Sequence, residues 1–116
     1  MSKDVIFVGW DRAVPGREKT GAALFQEYLQ YLGGLKAAGS IDSFEVVLLT
    51  PHGGDLNGFF LIRGERSKLD DLVVSKEWFT FTTRSGQLLE GVGTIRGVCD
   101  EGVMEWFQIR CTLIPE

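Results

Sequence analysis

Three stretches of this chain carry apolar side chains at odd and even positions alike: Val5-Ile6-Phe7-Val8, Phe44-Glu45-Val46-Val47-Leu48-Leu49 and Phe59-Phe60-Leu61-Ile62. Successive side chains of a strand point to opposite sides of its sheet. Strands of this kind need cover on both faces. Residues 4–10 read as strand one. A loop follows over 11–16, with Pro15-Gly16 as a strong breaker pair. From Arg17 the period changes. Leu24, Phe25, Tyr28, Leu32 and Leu35 recur at spacings of three and four, which predicts an amphipathic helix of about five turns. Gly39, just past the last periodic residue, is placed as its C-terminal cap. Gly33-Gly34 inside this helix predicts an end, a kink, or a neighbour packed closely on its backbone.

Residues 41–50 and 58–65 read as strands two and three, a hairpin with a long turn over 51–57. Ser67-Lys68-Leu69-Asp70 resembles a capping box with Asp in place of Glu, opening a short helix to about Val74. Asp70 and Asp71 are then expected to complement that helix's positive end. Ser75 reads as the cap of a second helix, with Glu77 in its first turn and Trp78, Thr82, Ser85 and Leu89 on one stripe. Residues 80–83 have poor helix propensity, so strand stays open there beside the helix reading. Residues 91–97 are glycine-rich and make a short strand at most. Residues 103–113 alternate: Val103, Phe107, Ile109, Cys111 and Leu113 share one face, and Met104, Trp106, Gln108, Arg110 and Thr112 the other. They are taken as strand four, with Cys111 as a small core residue.

The order strand, helix, strand, strand, helix, strand predicts an α+β, ferredoxin-like βαββαβ sandwich. Its antiparallel four-stranded sheet has the order 4-1-3-2, with two helical regions on one face. The other face is expected to be covered by a second copy of the chain, making a homodimer. One domain over 1–116 is expected at this length.

Composition narrows the classes. Hydrophobic residues make up 44% and charged residues 24%, as in ordinary globular domains. The net charge of −4 speaks against a nucleic-acid partner. The two cysteines, Cys99 and Cys111, match no metal or redox spacing, and no metal or cofactor is expected. No basic leader precedes an apolar stretch and no apolar run approaches the ~20 residues of a membrane span, so a cytoplasmic protein with no membrane partner is expected.

At this point the chain resembles the dimeric α+β barrel superfamily, which includes cofactor-free antibiotic-biosynthesis monooxygenases and haem-degrading monooxygenases. The resemblance spans the whole length through element order and size, and locally rests on Ser75-Lys76-Glu77-Trp78-Phe79 and the apolar final segment. It implies two sheets packed face to face and a small molecule bound between sheet and helices. Haem-degrading members use an Asn on strand one, a Trp on strand three and a His on the second helix. This chain has none of the three at those places, so haem chemistry does not carry over.

The βαββαβ topology gathers 11–17, 50–57 and 90–102 at one end of the sandwich, a glycine-rich rim that also holds Asp11, Arg12, His52, Asp55, Arg96 and Asp100. His52 is the only histidine. It is the candidate catalytic acid or base, provided Asp55 or Asp11 orients it; otherwise it is a solvated turn residue. Tyr28, Trp78 and Phe81 are candidate binding residues lining an apolar pocket, against the alternative of a plain packed core. Arg63 and Arg110 sit inside apolar strand patterns, Arg110 on the face of Trp106. They either pair with Glu45 or Glu105 or clamp a ligand carboxylate; Arg63 and Trp106 complete the candidate binding set. The expected function is binding of a small, partly apolar and acidic compound, with a cofactor-independent monooxygenase or isomerase as its enzymatic form. The alternative is a non-catalytic homodimeric ligand sensor or scaffold.

Overall fold

The computed structural model describes residues 3–115, so residues 1, 2 and 116 of the expected domain lie outside the described residues. Strand β1 (Asp4–Trp10) is followed by the two-residue β2 (Arg12–Ala13), helix α1 (Glu18–Ala37) and the hairpin β3 (Ser43–Leu48) and β4 (Gly58–Gly64). Helices α2 (Arg66–Val73) and α3 (Lys76–Leu88) come next, then β5 (Leu89–Glu90), β6 (Gly93–Val98) and α4 (Glu101–Thr112). The main sheet is antiparallel in the order β3-β4-β1-β6, and β2 pairs with β5 in a separate ribbon. The architecture is α+β and ferredoxin-like. Among the described residues no helix is long and apolar enough to cross a membrane.

The strand period decides which side chains meet the helices. Ile6 and Val8 of β1 stand beside Ile62 and Phe60 of β4, and all four are buried in one core with Tyr28, Leu32 and Trp78 of the helices. Val5, Phe7, Phe59, Leu61 and Arg63 point the other way. There Phe7 stacks on Phe59 at 5.0 Å, and Ile95 of β6 is 61% exposed. The apolar second face expected from the sequence is therefore present.

Helix α1 ends as expected. Gly39 takes φ 78°, the Ser40 amide donates to the Leu35 carbonyl and the Gly39 amide to Lys36. These two bonds are the Schellman pattern, and only glycine adopts that backbone at little cost. Ser75 caps α3 by accepting from the Trp78 amide at 3.3 Å. Residues 80–83 are helical. Thr80 and Thr82 donate their hydroxyls to the carbonyls four residues back, Lys76 and Trp78, which accommodates poor helix formers inside the helix.

Four expectations are corrected. Residues 103–113 form a helix, not strand four, and the outer strand beside β1 is β6. The polar residues Glu101, Glu105, Gln108 and Thr112 fall at the spacings of one helical stripe, a period that outweighs the partial alternation. The 4-1-3-2 order with that segment at its edge is replaced accordingly, and Cys111 is exposed rather than in the core. The capping box at Ser67 does not form. Helix α2 starts two residues earlier, after Glu65, with no side-chain cap, and Asp70 pairs with Arg96 of β6 at 2.8 Å instead of serving the helix end. Gly33 and Gly34 neither end nor crowd α1. Both are exposed, and an added Cβ would meet nothing within 4 Å at either. Lastly, because β6 crosses the sheet, residues 99–102 lie at the opposite end from the rim, where the Cys99 amide donates to Lys3.

A helical interior glycine costs about 0.8–1 kcal/mol relative to alanine. Gly33→Ala and Gly34→Ala should each raise stability in urea unfolding by about 0.5–1 kcal/mol. A loss of stability in either variant would show that another body packs against this turn.

Candidate functional site

The rim segments do converge at the other end. The Asp11 amide donates to Glu90 and the Val14 amide to Leu88, both at 2.9 Å. Arg17 donates to the Gln87 carbonyl at 2.6 Å. This ribbon holds the start of α1 against the end of α3. Below it, between sheet and helices, lies a cavity of about 200 Å³ walled by Trp10, Phe25, Tyr28 and Phe60. Their rings meet in mixed geometries: Trp10 and Phe25 edge-on at 6.0 Å and 73°, Trp10 and Phe60 tilted at 5.0 Å, Tyr28 and Phe60 tilted at 4.8 Å, and Phe25 and Phe60 stacked at 5.8 Å. Rigid rings in such contacts cannot flatten into the space they enclose. Trp10 itself needs Gly58 opposite it, since a Cβ there would fall 2.6 Å from its Cζ2. A second lobe of about 270 Å³ adjoins the first, lined by Thr82, Val92, Gly93 and Thr94. Val8, Tyr28, Ser85 and Val92 border both lobes.

The polar groups are few, as small-molecule sites usually have them. Tyr28 is 4% exposed. Burial pushes its pKa above the ordinary tyrosine value, so at neutral pH it is a hydrogen-bond donor. Ser85 and Thr82 donate to the carbonyls of Phe81 and Trp78 at 2.7 and 2.9 Å, leaving their oxygens as acceptors. At the mouth Asp11 accepts from Asn57 at 2.6 Å, and Arg12 pairs with Glu90 at 2.8 Å.

Of the six residues singled out from sequence, only Tyr28 lines this cavity. Trp78 and Phe81 stand behind it: Trp78 meets the Tyr28 ring at 6.3 Å and 88°, and Phe81 meets Tyr28 tilted at 4.8 Å and stacks on Tyr31 at 4.6 Å. His52 is exposed in the 51–57 turn, with Nδ1 bonded to the Thr50 carbonyl at 3.0 Å. Its ring folds over Gly54. Arg63 lies on the other face of the sheet and donates to Glu45, the pairing that was one of its two expected fates. Trp106 lies on α4, beside a groove with Gly97, Val98 and Arg110. Sequence reasoning missed Trp10, Phe25, Phe60, Ser85 and Val92. For Trp10 a signal existed, since it shares the parity of Ile6 and Val8, as Phe60 shares that of Ile62. Among the described residues no group of His, Cys, Asp and Glu is placed to hold a metal ion.

The fold is shared with solved structures. A ferredoxin-like dimeric protein of unknown function from Bacteroides fragilis matches 84% of this chain and 97% of its own at 12% identity, with a TM-score of 0.63. A hydroxynitrile lyase from Passiflora edulis matches 87% and 97% at 10% identity, TM-score 0.65. SnoaB, a cofactor-independent oxygenase from Streptomyces nogalater, matches 85% and 93% at 14% identity, TM-score 0.50. These likenesses define a ferredoxin-like fold and no activity. No protein-family model matches the chain, and no curated protein is similar to it in sequence.

A tyrosine held neutral by burial costs the folded state its advantage in alkali. The unfolded chain releases that proton near the ordinary tyrosine pKa of about 10 while the folded one keeps it. Stability is therefore full below about pH 10 and falls as pH rises above it. Urea midpoints between pH 8 and 11 should fall more steeply for the wild-type chain than for Tyr28→Phe. Parallel curves would show that Tyr28 is not held in this way.

Proposed function

We propose that this chain is a homodimeric small-molecule-binding protein, taking a partly apolar compound into the aromatic cavity between its sheet and helices. One observation carries the reading: a space of about 200 Å³ stays open in the most aromatic part of the protein, walled by Trp10, Phe25, Tyr28 and Phe60. The dimer is supported by the apolar second face of the sheet and by the dimeric relative in fold. That the same fold serves a cofactor-independent oxygenase and a hydroxynitrile lyase makes enzymatic chemistry compatible with this scaffold. In its enzymatic form the protein acts as a cofactor-independent monooxygenase or isomerase, and Tyr28 donates a hydrogen bond or proton to the bound compound. His52 lies outside the cavity lining and takes no step.

That placement of His52 favours a second reading, a non-catalytic ligand sensor or scaffold, because the cavity lining then holds no histidine to act as acid or base. The two readings share the ligand.

The test is equilibrium dialysis with 2-naphthol, a neutral two-ring probe. Wild-type protein should bind one molecule per chain, and Ser85→Leu, which fills the space, should weaken binding about tenfold or more. Binding that is absent, or indifferent to Ser85→Leu in a folded variant, overturns the cavity reading. Separately, sedimentation equilibrium should give about twice the 12.9 kDa of one chain, and Leu61→Lys, placing a charge in the apolar second face, should shift the protein to the single-chain mass. A wild-type protein that stays at 12.9 kDa when concentrated removes the dimer.

A further inference from the structure

Four side chains from four different segments stand where the two lobes of the cavity meet: Val8 of β1, Tyr28 of α1, Ser85 of α3 and Val92 of the loop between β5 and β6. The first three are fixed. Val8, Tyr28 and Ser85 are 3%, 4% and 3% exposed. Tyr28 is wedged between Phe60 and Phe81, each at 4.8 Å, and Ser85 is tied to the Phe81 carbonyl. Val92 differs in every respect. It is half-buried and lies between Gly91, at φ 64°, and Gly93, where an added Cβ would meet nothing within 4 Å. Its side chain is the one part of the partition that a loop, rather than a helix or sheet strand, holds in place.

The lobes also differ in chemistry. The first is walled by rings. The second is bordered by the hydroxyls of Thr82, Ser85 and Thr94, with no charged side chain. An ion placed there would be desolvated without a counter-charge, which is costly, whereas a neutral hydroxyl would find acceptors in the Ser85 and Thr82 oxygens.

We infer that Val92 is the specificity-determining residue of this cavity, dividing its aromatic lobe from its hydroxyl-lined lobe. The ligand class that spans both lobes is an elongated, uncharged molecule with an apolar ring at one end and a hydrogen-bonding group at the other. This inference rests on the cavity being a ligand site. The size of the Val92 side chain sets how much of such a molecule passes the partition, since one or two methyl groups in an apolar passage change affinity by about tenfold to a hundredfold.

Equilibrium dialysis with two probes tests it: 2-naphthol, whose fused rings fit one lobe, and 4-phenylphenol, whose rings lie end to end. Wild type, Val92→Ala and Val92→Phe are compared, with folding checked by thermal melts. Val92→Ala should raise the affinity for 4-phenylphenol relative to that for 2-naphthol at least about fivefold over wild type. Val92→Phe should weaken 4-phenylphenol at least about fivefold more than it weakens 2-naphthol. If 2-naphthol binds and the ratio of the two affinities is the same in all three proteins, the role of Val92 is overturned while the cavity reading stands. If neither probe binds any of the three, the cavity reading falls and takes this inference with it.

Discussion

The rest of the structure depends on the two-sided apolar character of β1 and its partner β4. Antiparallel sheets commonly leave one face to water and alternate accordingly. Here both central strands carry large apolar side chains on both faces: Ile6, Val8, Phe60 and Ile62 toward the helices, Val5, Phe7, Phe59 and Leu61 away from them. Each side chain of this size gains about 1.5–3 kcal/mol from full burial. The helices α1, α2 and α3 supply that burial on one side. On the other, Phe7 and Phe59 cover each other in part, and the edge residue Ile95 is left open. The same constraint that packs the core thus leaves apolar side chains on the face turned away from the helices.

The cavity follows from how the helix layer is filled. At the α2 end the core is aliphatic, with Leu69, Ile41, Leu32 and Ile62 all at 2% exposure or less, and such side chains interdigitate. At the β2–β5 end the fill is aromatic. Trp10, Phe25, Tyr28 and Phe60 hold each other at centroid distances of 4.8 to 6.0 Å, so the layer is propped rather than closed. The backbone bonds of the ribbon, Asp11 to Glu90 and Val14 to Leu88, stop the helices from moving in to close the space. Fold and site share one cause: ring-shaped residues at the end of the sandwich where the ribbon fixes the spacing.

Much of this was legible in the sequence, for reasons that can be named. Helix α1 announced itself by Leu24, Tyr28, Leu32 and Leu35 at helical spacing and by Gly39 beyond its end, because both the stripe and the cap are local effects. The hairpin and the cap at Ser75 were local too. The fourth strand was legible only as a candidate short strand, not as the sheet's outer member. Gly93-Thr94-Ile95-Arg96-Gly97-Val98 has few apolar residues to alternate, and it is a strand because β1 offers it a full ladder of partners from Asp4 to Gly9. The following segment looked more like a strand than β6 does, but its polar residues recur at helical spacing. The site was half legible for the same reason. Tyr28 could be placed by its helix stripe, whereas Phe25, Phe60 and Val92 become neighbours only through the crossing of sheet and helices, which no local pattern records.

The distribution of polar groups bears on what the cavity can do. Catalysis by proton transfer needs a group whose pKa lies near the working pH. Tyr28 is moved away from that range by burial, and the hydroxyls of Ser85 and Thr82 are engaged with helix carbonyls. Tyr28 is therefore suited to holding or protonating an oxygen that gains negative charge, not to removing a proton from a carbon. Asp11 is the one carboxylate that borders the aromatic lobe, and one of its oxygens is occupied by Asn57. A compound that reacts in such a place must carry most of its own reactivity, with the protein supplying a dry aromatic wall, one donor and a fixed orientation. Those are also the requirements for plain binding. A sensor and an enzyme would therefore differ here in the ligand's chemistry rather than in the residues that would hold it.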